Sequence, residues 1–127
     1  MDRNISFFNY SDLFLKHEKE LLDIFQSVGE KGAFIMQQEL SDFESNIADY
    51  TGAKFVLGVA NATDAIQLLL KAGGVGPGDE VIFCSHTMVA TASAIAFTGA
   101  TPVPVEVGSN HLIDPESIKG AITSKTK

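Results

Sequence analysis

The chain has 127 residues and 45% hydrophobic content, which fits one folded domain and excludes a disordered tail. Its formal charge is −7, and its nine Lys and Arg residues form no basic patch, which argues against nucleic-acid binding. The single cysteine, Cys84, excludes an internal disulfide framework and a multi-cysteine zinc site. No apolar run reaches the roughly 18 residues of a membrane span, and the N-terminus lacks a signal-peptide layout. These features predict a soluble, cytoplasmic α/β protein with no membrane partner.

The first 53 residues are expected to form an N-terminal arm and two helices. Residues 4–14 look like an extended arm anchored by Phe7, Phe8 and Tyr10. Apolar residues at i, i+3, i+4 and i+7 then predict a first helix over residues 17–28. Residues 32–38 break this pattern, so a loop is expected there.

The second helix is predicted to run through Tyr50. Ser41-x-x-Glu44 has the spacing of a capping box, in which the two side chains satisfy backbone N–H groups reciprocally at the start of a helix. Gly52 follows as a C-terminal stop signal.

The stretch Lys54–Gly74 is the centre of the predicted fold. Residues 55–60 are a short apolar run typical of a buried parallel strand, and Thr63–Ala72 is predicted to be a helix. Asn61 is placed to cap the first turn of this helix, with Asp64 three residues on as its partner. Free N–H groups at a helix start, at the carboxyl edge of a sheet, indicate an anion-binding site. An ordinary strand-to-helix turn is the alternative.

The alternation of strand and helix continues towards the C-terminus. It predicts right-handed βαβ units and a parallel sheet. The expected segments are a turn over 74–79, a strand over 80–83, a helix over 89–97, a strand over 101–105, and a helix from Asp114 and Pro115 to about Ile122.

Only three strands are predicted, which is few for a parallel sheet. We therefore expect the chain to be the front portion of a larger protein, with residues 54–127 as a truncated βαβαβ-α part of its domain. A compact natural small domain is the alternative.

Four passages of the chain, taken in order, resemble the DegT/DnrJ/StrS family of sugar aminotransferases. ISFFNY (5–10) resembles the opening I-P-F-x-D-L, and GAFIMQQELSDFESNIADYTG (32–52) resembles G-x-[FY]-I-x-G-x-E-[VL]-x-x-F-E. GVANATDAIQLLL (58–70) resembles S-N-G-T-x-A-L-x-L-A-L. Residues 74–107 and 111–127 resemble G-P-G-D-E-V-I-x-P-x-x-T-[FYW]-x-A-T-x-x-A-I, followed by G-A-x-P-V-x-V-D-V and I-D-P.

The resemblance implies a fold class and an activity. The fold would be the N-terminal portion of the large domain of a fold-type-I enzyme that uses pyridoxal 5′-phosphate (PLP), with helices packed on a parallel sheet. The full enzyme would transfer an amino group from glutamate to a keto-sugar nucleotide in polysaccharide biosynthesis. It would be a homodimer.

The resemblance also implies site residues. Ala62 and Thr63 fall where the family binds the cofactor phosphate through a backbone N–H and a hydroxyl. Met88 falls where the family places an aromatic ring stacked on the pyridine ring; its thioether still packs on an aromatic face. Gln37 replaces a glycine of the family pattern and Glu106 replaces an aspartate, which puts the substrate in question.

The catalytic groups of the family are expected outside this chain. The Schiff-base lysine and the carboxylate that pairs with the pyridinium nitrogen would lie beyond Lys127, so no catalytic residue is assigned and these residues alone are expected to be inactive. Two alternatives stay open: a PLP-dependent sugar dehydratase, in which histidine replaces the lysine, and a non-catalytic module that self-associates through its sheet edge and apolar helices.

Isolated polar residues give weaker signals. His86, at a predicted strand end, could touch a cofactor or a substrate but more often such a histidine is structural. Cys84 is expected to be a small core residue. His17 and His111 have no partners at metal-ligand spacing, so no metal site is predicted.

Overall fold

The computed structural model describes residues 7–127, so residues 4–6 of the predicted arm lie outside the described part. The chain divides into two compact units, one ending at Gly58 and the other spanning Val59–Lys127. The predicted domain boundary between residues 53 and 54 stays a prediction.

Helix α1 spans Tyr10–Lys31, so the prediction of an extended arm is wrong for residues 10–14. The side chain of Asn9 caps the helix by accepting a hydrogen bond from Asp12 N at 3.2 Å. This cap begins the helix seven residues before the predicted start at His17, because the local hydrogen bond outweighs the aromatic character of the segment. Gly32, with φ of 64°, ends the helix after Lys31, three residues beyond the predicted end at Val28.

Helix α2 spans Gln38–Thr51, and the predicted capping box at Ser41 is wrong. Gln37 occupies the N-cap position without a side-chain cap, and Ser41 already lies inside the helix, where its N–H donates to Gln37 O at 3.3 Å. Gly52, with φ of 71°, ends α2 as expected.

Glu44 has a different partner from the predicted one. Its Oε1 accepts a hydrogen bond from the backbone N of Gly58 at 2.7 Å, which ties α2 to the segment that follows it. A Cβ on Gly58 would lie 2.5 Å from Leu40 Cδ1, so a larger residue here would require the Leu40 side chain to move.

The strand predicted over residues 55–60 is not formed. The segment belongs to no helix or strand, no strand among residues 7–127 pairs with it, and Phe55 and Leu57 are 83% and 75% exposed. An apolar run indicates that a segment tends to be buried, whereas a strand also requires a hydrogen-bonded neighbour.

The second unit contains helix α3 (Ala62–Ala72), strand β1 (Glu80–Cys84), helix α4 (Val89–Ala96), strand β2 (Thr101–Val105) and helix α5 (Pro115–Ala121). β1 and β2 are parallel, with Glu80 opposite Thr101 and Cys84 opposite Val105, and α4 connects them. The prediction of an α/β fold with a parallel βαβ unit is therefore confirmed. Asp114 caps α5 and Pro115 begins it, as predicted.

The C-terminal residues add a neighbour to β1 that the sequence did not indicate. Glu80 N donates to Lys125 O at 2.9 Å, and Lys127 N donates to Glu80 O at 3.0 Å, which makes a parallel bridge between Glu80 and Thr126. At Glu80, β1 is therefore paired on both edges.

The core of the second unit is small and centred on α4. Its buried hydrophobic residues are Ala94, Ile95, Ala100 and Val105, and Thr98 is buried beside them. The Thr98 hydroxyl donates to Ile95 O at 2.7 Å and accepts from Ala100 N at 3.2 Å, so this buried polar group is satisfied. α4 also packs against α3.

None of the helices within residues 7–127 combines the length and the apolar character needed to cross a membrane.

We expect Glu44→Ala to loosen the segment after α2. The variant removes a charge-assisted acceptor from a partly buried N–H, which should cost about 1–2 kcal/mol. Amide hydrogen exchange should then be roughly five- to thirtyfold faster at Gly58. Asp49→Ala is the matched control, because Asp49 lies exposed on the same helix. Unchanged protection at Gly58 in the Glu44 variant would contradict this role.

Candidate functional site

The start of α3 is capped by its own side chains. Asn61 has extended backbone geometry, and its Oδ1 accepts a hydrogen bond from Asp64 N at 2.9 Å. The predicted cap at Asn61 is therefore confirmed. Asn61 Nδ2 in turn donates to Asp64 Oδ2 at 2.9 Å. In a standard capping box, the acidic side chain accepts a hydrogen bond from the backbone N of the cap residue. Here the Asp64 carboxylate accepts from the Asn61 side chain instead.

Two backbone N–H groups remain free at this helix start. No acceptor within residues 7–127 bonds to the N–H of Ala62 or of Thr63, while Ala65 N already donates to Asn61 O at 3.1 Å. Thr63 is half-buried and Ala62 is exposed. Since the first turn of a helix also carries the positive end of its dipole, these donors suit an anion.

Met88 is the N-cap residue of α4 and is 77% exposed, so its thioether is available for contact. It follows β1 by four residues and therefore lies at the carboxyl end of that strand. α3 leads through the turn at 73–79 into the amino end of β1. α3 packs against α4, the helix that Met88 caps, and Gln67 Nε2 in the middle of α3 donates to Phe97 O at the end of α4 at 3.3 Å.

The other polar candidates show no site. His86 is exposed, and its carbonyl oxygen lies 3.8 Å from the sulfur of half-buried Cys84. In the part of the chain from Phe7 onwards, no group of three or more His, Cys, Asp or Glu side chains could hold a metal ion.

Every lysine of the described chain is exposed. Several are bonded to their surroundings: Lys119 Nζ lies 2.6 Å from Glu116 Oε1, and Lys127 Nζ lies 3.2 Å from Gly74 O. None lies in the desolvated environment typical of a nucleophilic lysine.

The model of the DegT/DnrJ/EryC1/StrS aminotransferase family matches residues 16–127. The chain belongs to this family. The resemblance noted from the four sequence passages is thereby confirmed.

One relative in this family is the dTDP-3-amino-3,6-dideoxy-alpha-D-galactopyranose transaminase of Aneurinibacillus thermoaerophilus. It is 43% identical over 124 residues, which are 97% of this chain and 34% of that protein. The chain thus spans about a third of the length of such relatives, and it corresponds to their N-terminal part.

Solved structures of the family share the fold. S. venezuelae DesV, in complex with a ketimine intermediate, superposes with a TM-score of 0.92 and 36% identity, covering 99% of this chain and 34% of DesV. NtdA from Bacillus subtilis, with bound cofactor PMP, superposes with a TM-score of 0.86 and 31% identity, covering 99% of this chain and 30% of NtdA. The fold class is therefore the N-terminal portion of the large domain of a fold-type-I aminotransferase.

Proposed function

We propose that these 127 residues form the N-terminal part of a PLP-dependent nucleotide-sugar aminotransferase, which passes an amino group from glutamate to a keto-sugar nucleotide. The observation that carries the proposal is the pair of unpartnered N–H groups of Ala62 and Thr63 at the start of α3. The family relation adds the chemistry, since the relative named above is a transaminase of a dTDP-linked sugar.

The residues of this chain suit the phosphate end of the cofactor. Ala62 and Thr63 would hold the phosphate with two backbone N–H groups and the Thr63 hydroxyl, and Met88 would lie against the ring. PLP, when bound, supplies the electron sink for amino transfer. Residues 54–127 would be the first part of the cofactor-binding domain, and residues 1–53 an arm with two helices.

The donor set does not supply the whole charge that a phosphate requires. Asp64 is the titratable side chain nearest in sequence to the two free N–H groups, and it is acidic. Hydrogen bonds to a charged group contribute about 1.5–3 kcal/mol each, so the two amides and one hydroxyl contribute about 4.5–9 kcal/mol in total. The cost of association, about 4–15 kcal/mol, offsets most of this, so these groups orient the anion but bind it weakly by themselves.

We expect Thr63→Val to weaken PLP retention in an enzyme that contains this chain. The substitution removes a hydroxyl from a charge-assisted contact and should cost about 1.5–3 kcal/mol of binding free energy. The measurement is the PLP dissociation constant. Thr101→Val is the matched control, because Thr101 lies at the amino end of β2, whereas the proposed site is expected at the carboxyl ends of the strands. An unchanged constant in the Thr63 variant would leave its hydroxyl without a cofactor role.

We also propose that the 127 residues alone do not catalyse amino transfer. Because all described lysines are exposed, none is expected to form a dedicated Schiff base with PLP. Borohydride reduction in the presence of equimolar PLP, followed by peptide mass mapping, should show no stoichiometric adduct. One adduct at a single lysine, at one equivalent per chain, would refute this.

Self-association is proposed from the exposed apolar surface. α1 exposes Leu13, Leu21 and Phe25, and α3 exposes Leu68 and Leu69. Exposed apolar surface of this extent favours association, while the charge of −7 is screened beyond about 8 Å at physiological salt. We therefore propose that the enzyme is a homo-oligomer.

Sedimentation equilibrium tests the association of this chain directly. The expected result is a dimer or larger species at micromolar concentration, because water is released from the apolar faces of α1 and α3. A single 13.6 kDa species up to high concentration would contradict it.

A further inference from the structure

We propose that the edge of β1 left open at Ile82 and Cys84 binds a third strand, which runs parallel to β1 and continues the path of Thr126 and Lys127 in the longer enzyme. The inference rests on the part of the proposed function in which these residues belong to a longer enzyme, and it is independent of the cofactor site. The third strand would make β1 an interior strand and leave β2 at the edge of the sheet.

The backbone groups of β1 alternate between its two edges. Thr101 N donates to Asp79 O at 2.9 Å where β1 begins, and Ser85 N donates to Val105 O at 2.9 Å where it ends. The odd-numbered residues from 79 to 85 therefore face β2, and in a parallel pair the residues between them face the other way. Glu80 follows this rule, since its N–H and its C=O both bond to the C-terminal residues.

Ile82 and Cys84 face the same side as Glu80 but have no partner there. Within residues 7–127, no acceptor bonds to the N–H of either residue on this edge, and no donor bonds to Ile82 O. All five residues of β1 are half-buried, so water reaches these groups only in part. Unbonded polar groups along a half-buried strand are a template for a neighbouring strand.

The outer edge of β2 cannot extend the sheet in the same way. The residues of β2 that face β1 are the odd-numbered ones, so Pro102 and Pro104 face outwards. Proline has no N–H to donate, and within sheets it is confined to edge strands and strand ends. The βαβ unit is thus closed by proline on one side and open on the other.

The C-terminal residues set the direction and the register of the occupant. Glu80 N donates to Lys125 O at 2.9 Å and Lys127 N donates to Glu80 O at 3.0 Å, which is the pattern of a parallel bridge. A strand that continues this bridge places the first residue after Lys127 opposite Ile82 and the third opposite Cys84. The second residue would donate its N–H to Ile82 O, so proline is excluded at that position.

Side chains hold the C-terminal residues in this path. Lys127 Nζ donates to Gly74 O at 3.2 Å and lies 3.7 Å from Asp79 Oδ2. The Thr123 hydroxyl donates to the carboxylate of Glu80. A second copy of the chain that paired along the whole of β1 would have to displace these residues, whereas a continuing segment would not.

Amide hydrogen exchange at single residues tests the proposal in the 127-residue chain and in an enzyme that contains it. In the 127-residue chain, the N–H groups of Ile82 and Cys84 should exchange at least about tenfold faster than those of Val81 and Phe83, which face β2. In the longer enzyme this difference should vanish, because both sets are then bonded. Val81 and Phe83 are the matched controls, since they lie on the same strand and keep their partners in both proteins.

The possible outcomes are distinguishable. Fast exchange at Ile82 in the longer enzyme, or a proline as the second residue after Lys127, would overturn the third strand. Protection of Ile82 that rises with the concentration of the 127-residue chain would assign the edge to a second copy and overturn it as well. The PLP dissociation constant reports separately on the proposed function: a longer enzyme that fails to bind PLP but protects Ile82 would lose that function and keep the third strand.

Discussion

The packing of α4 onto the parallel pair β1 and β2 is the constraint on which the second unit depends. Ile95 is the one large side chain of the described residues that is fully buried, at 1% exposure, and its neighbours in the core are small. Small side chains let the helix approach the sheet closely, but each contributes little buried area, at about 25 cal/mol per Å². The βαβ geometry is therefore set by close contact around one residue, while larger apolar side chains such as Leu69 stay exposed.

The parts of the fold that were predictable are those determined by local chemistry. Asp114 followed by Pro115 fixes the start of α5, and the glycines at 52 and 32 fix helix ends through positive φ angles. The errors have the same physical origin. Residues 55–60 needed a pairing partner, which no periodicity can supply, and the start of α1 depended on Asn9, whose capping role was hidden among aromatic residues.

Some features of the candidate site could be predicted from residue spacing, and others could not. The cap at Asn61 and its link to Asp64 follow from spacing alone, and only the target of the reciprocal bond differs. The position of the free N–H groups relative to Met88 depends on chain topology, which the sequence indicates through its alternation of elements. Three residues at a helix start do not identify an anion; the proposal of a cofactor phosphate rests on the family relation over residues 16–127.

An acidic chain that offers an anion site raises an electrostatic question. The net charge of −7 is spread over the molecule and screened beyond about 8 Å at physiological salt, so it hardly acts on the phosphate proposed at the start of α3. Contacts within that distance decide instead: two amides, one hydroxyl and the carboxylate of Asp64. The carboxylate of Asp64 accepts a hydrogen bond from Asn61 Nδ2 at 2.9 Å, but its negative charge still acts on an anion at the neighbouring free donors. Affinity at the proposed site therefore depends on these few short-range contacts more than on the total charge.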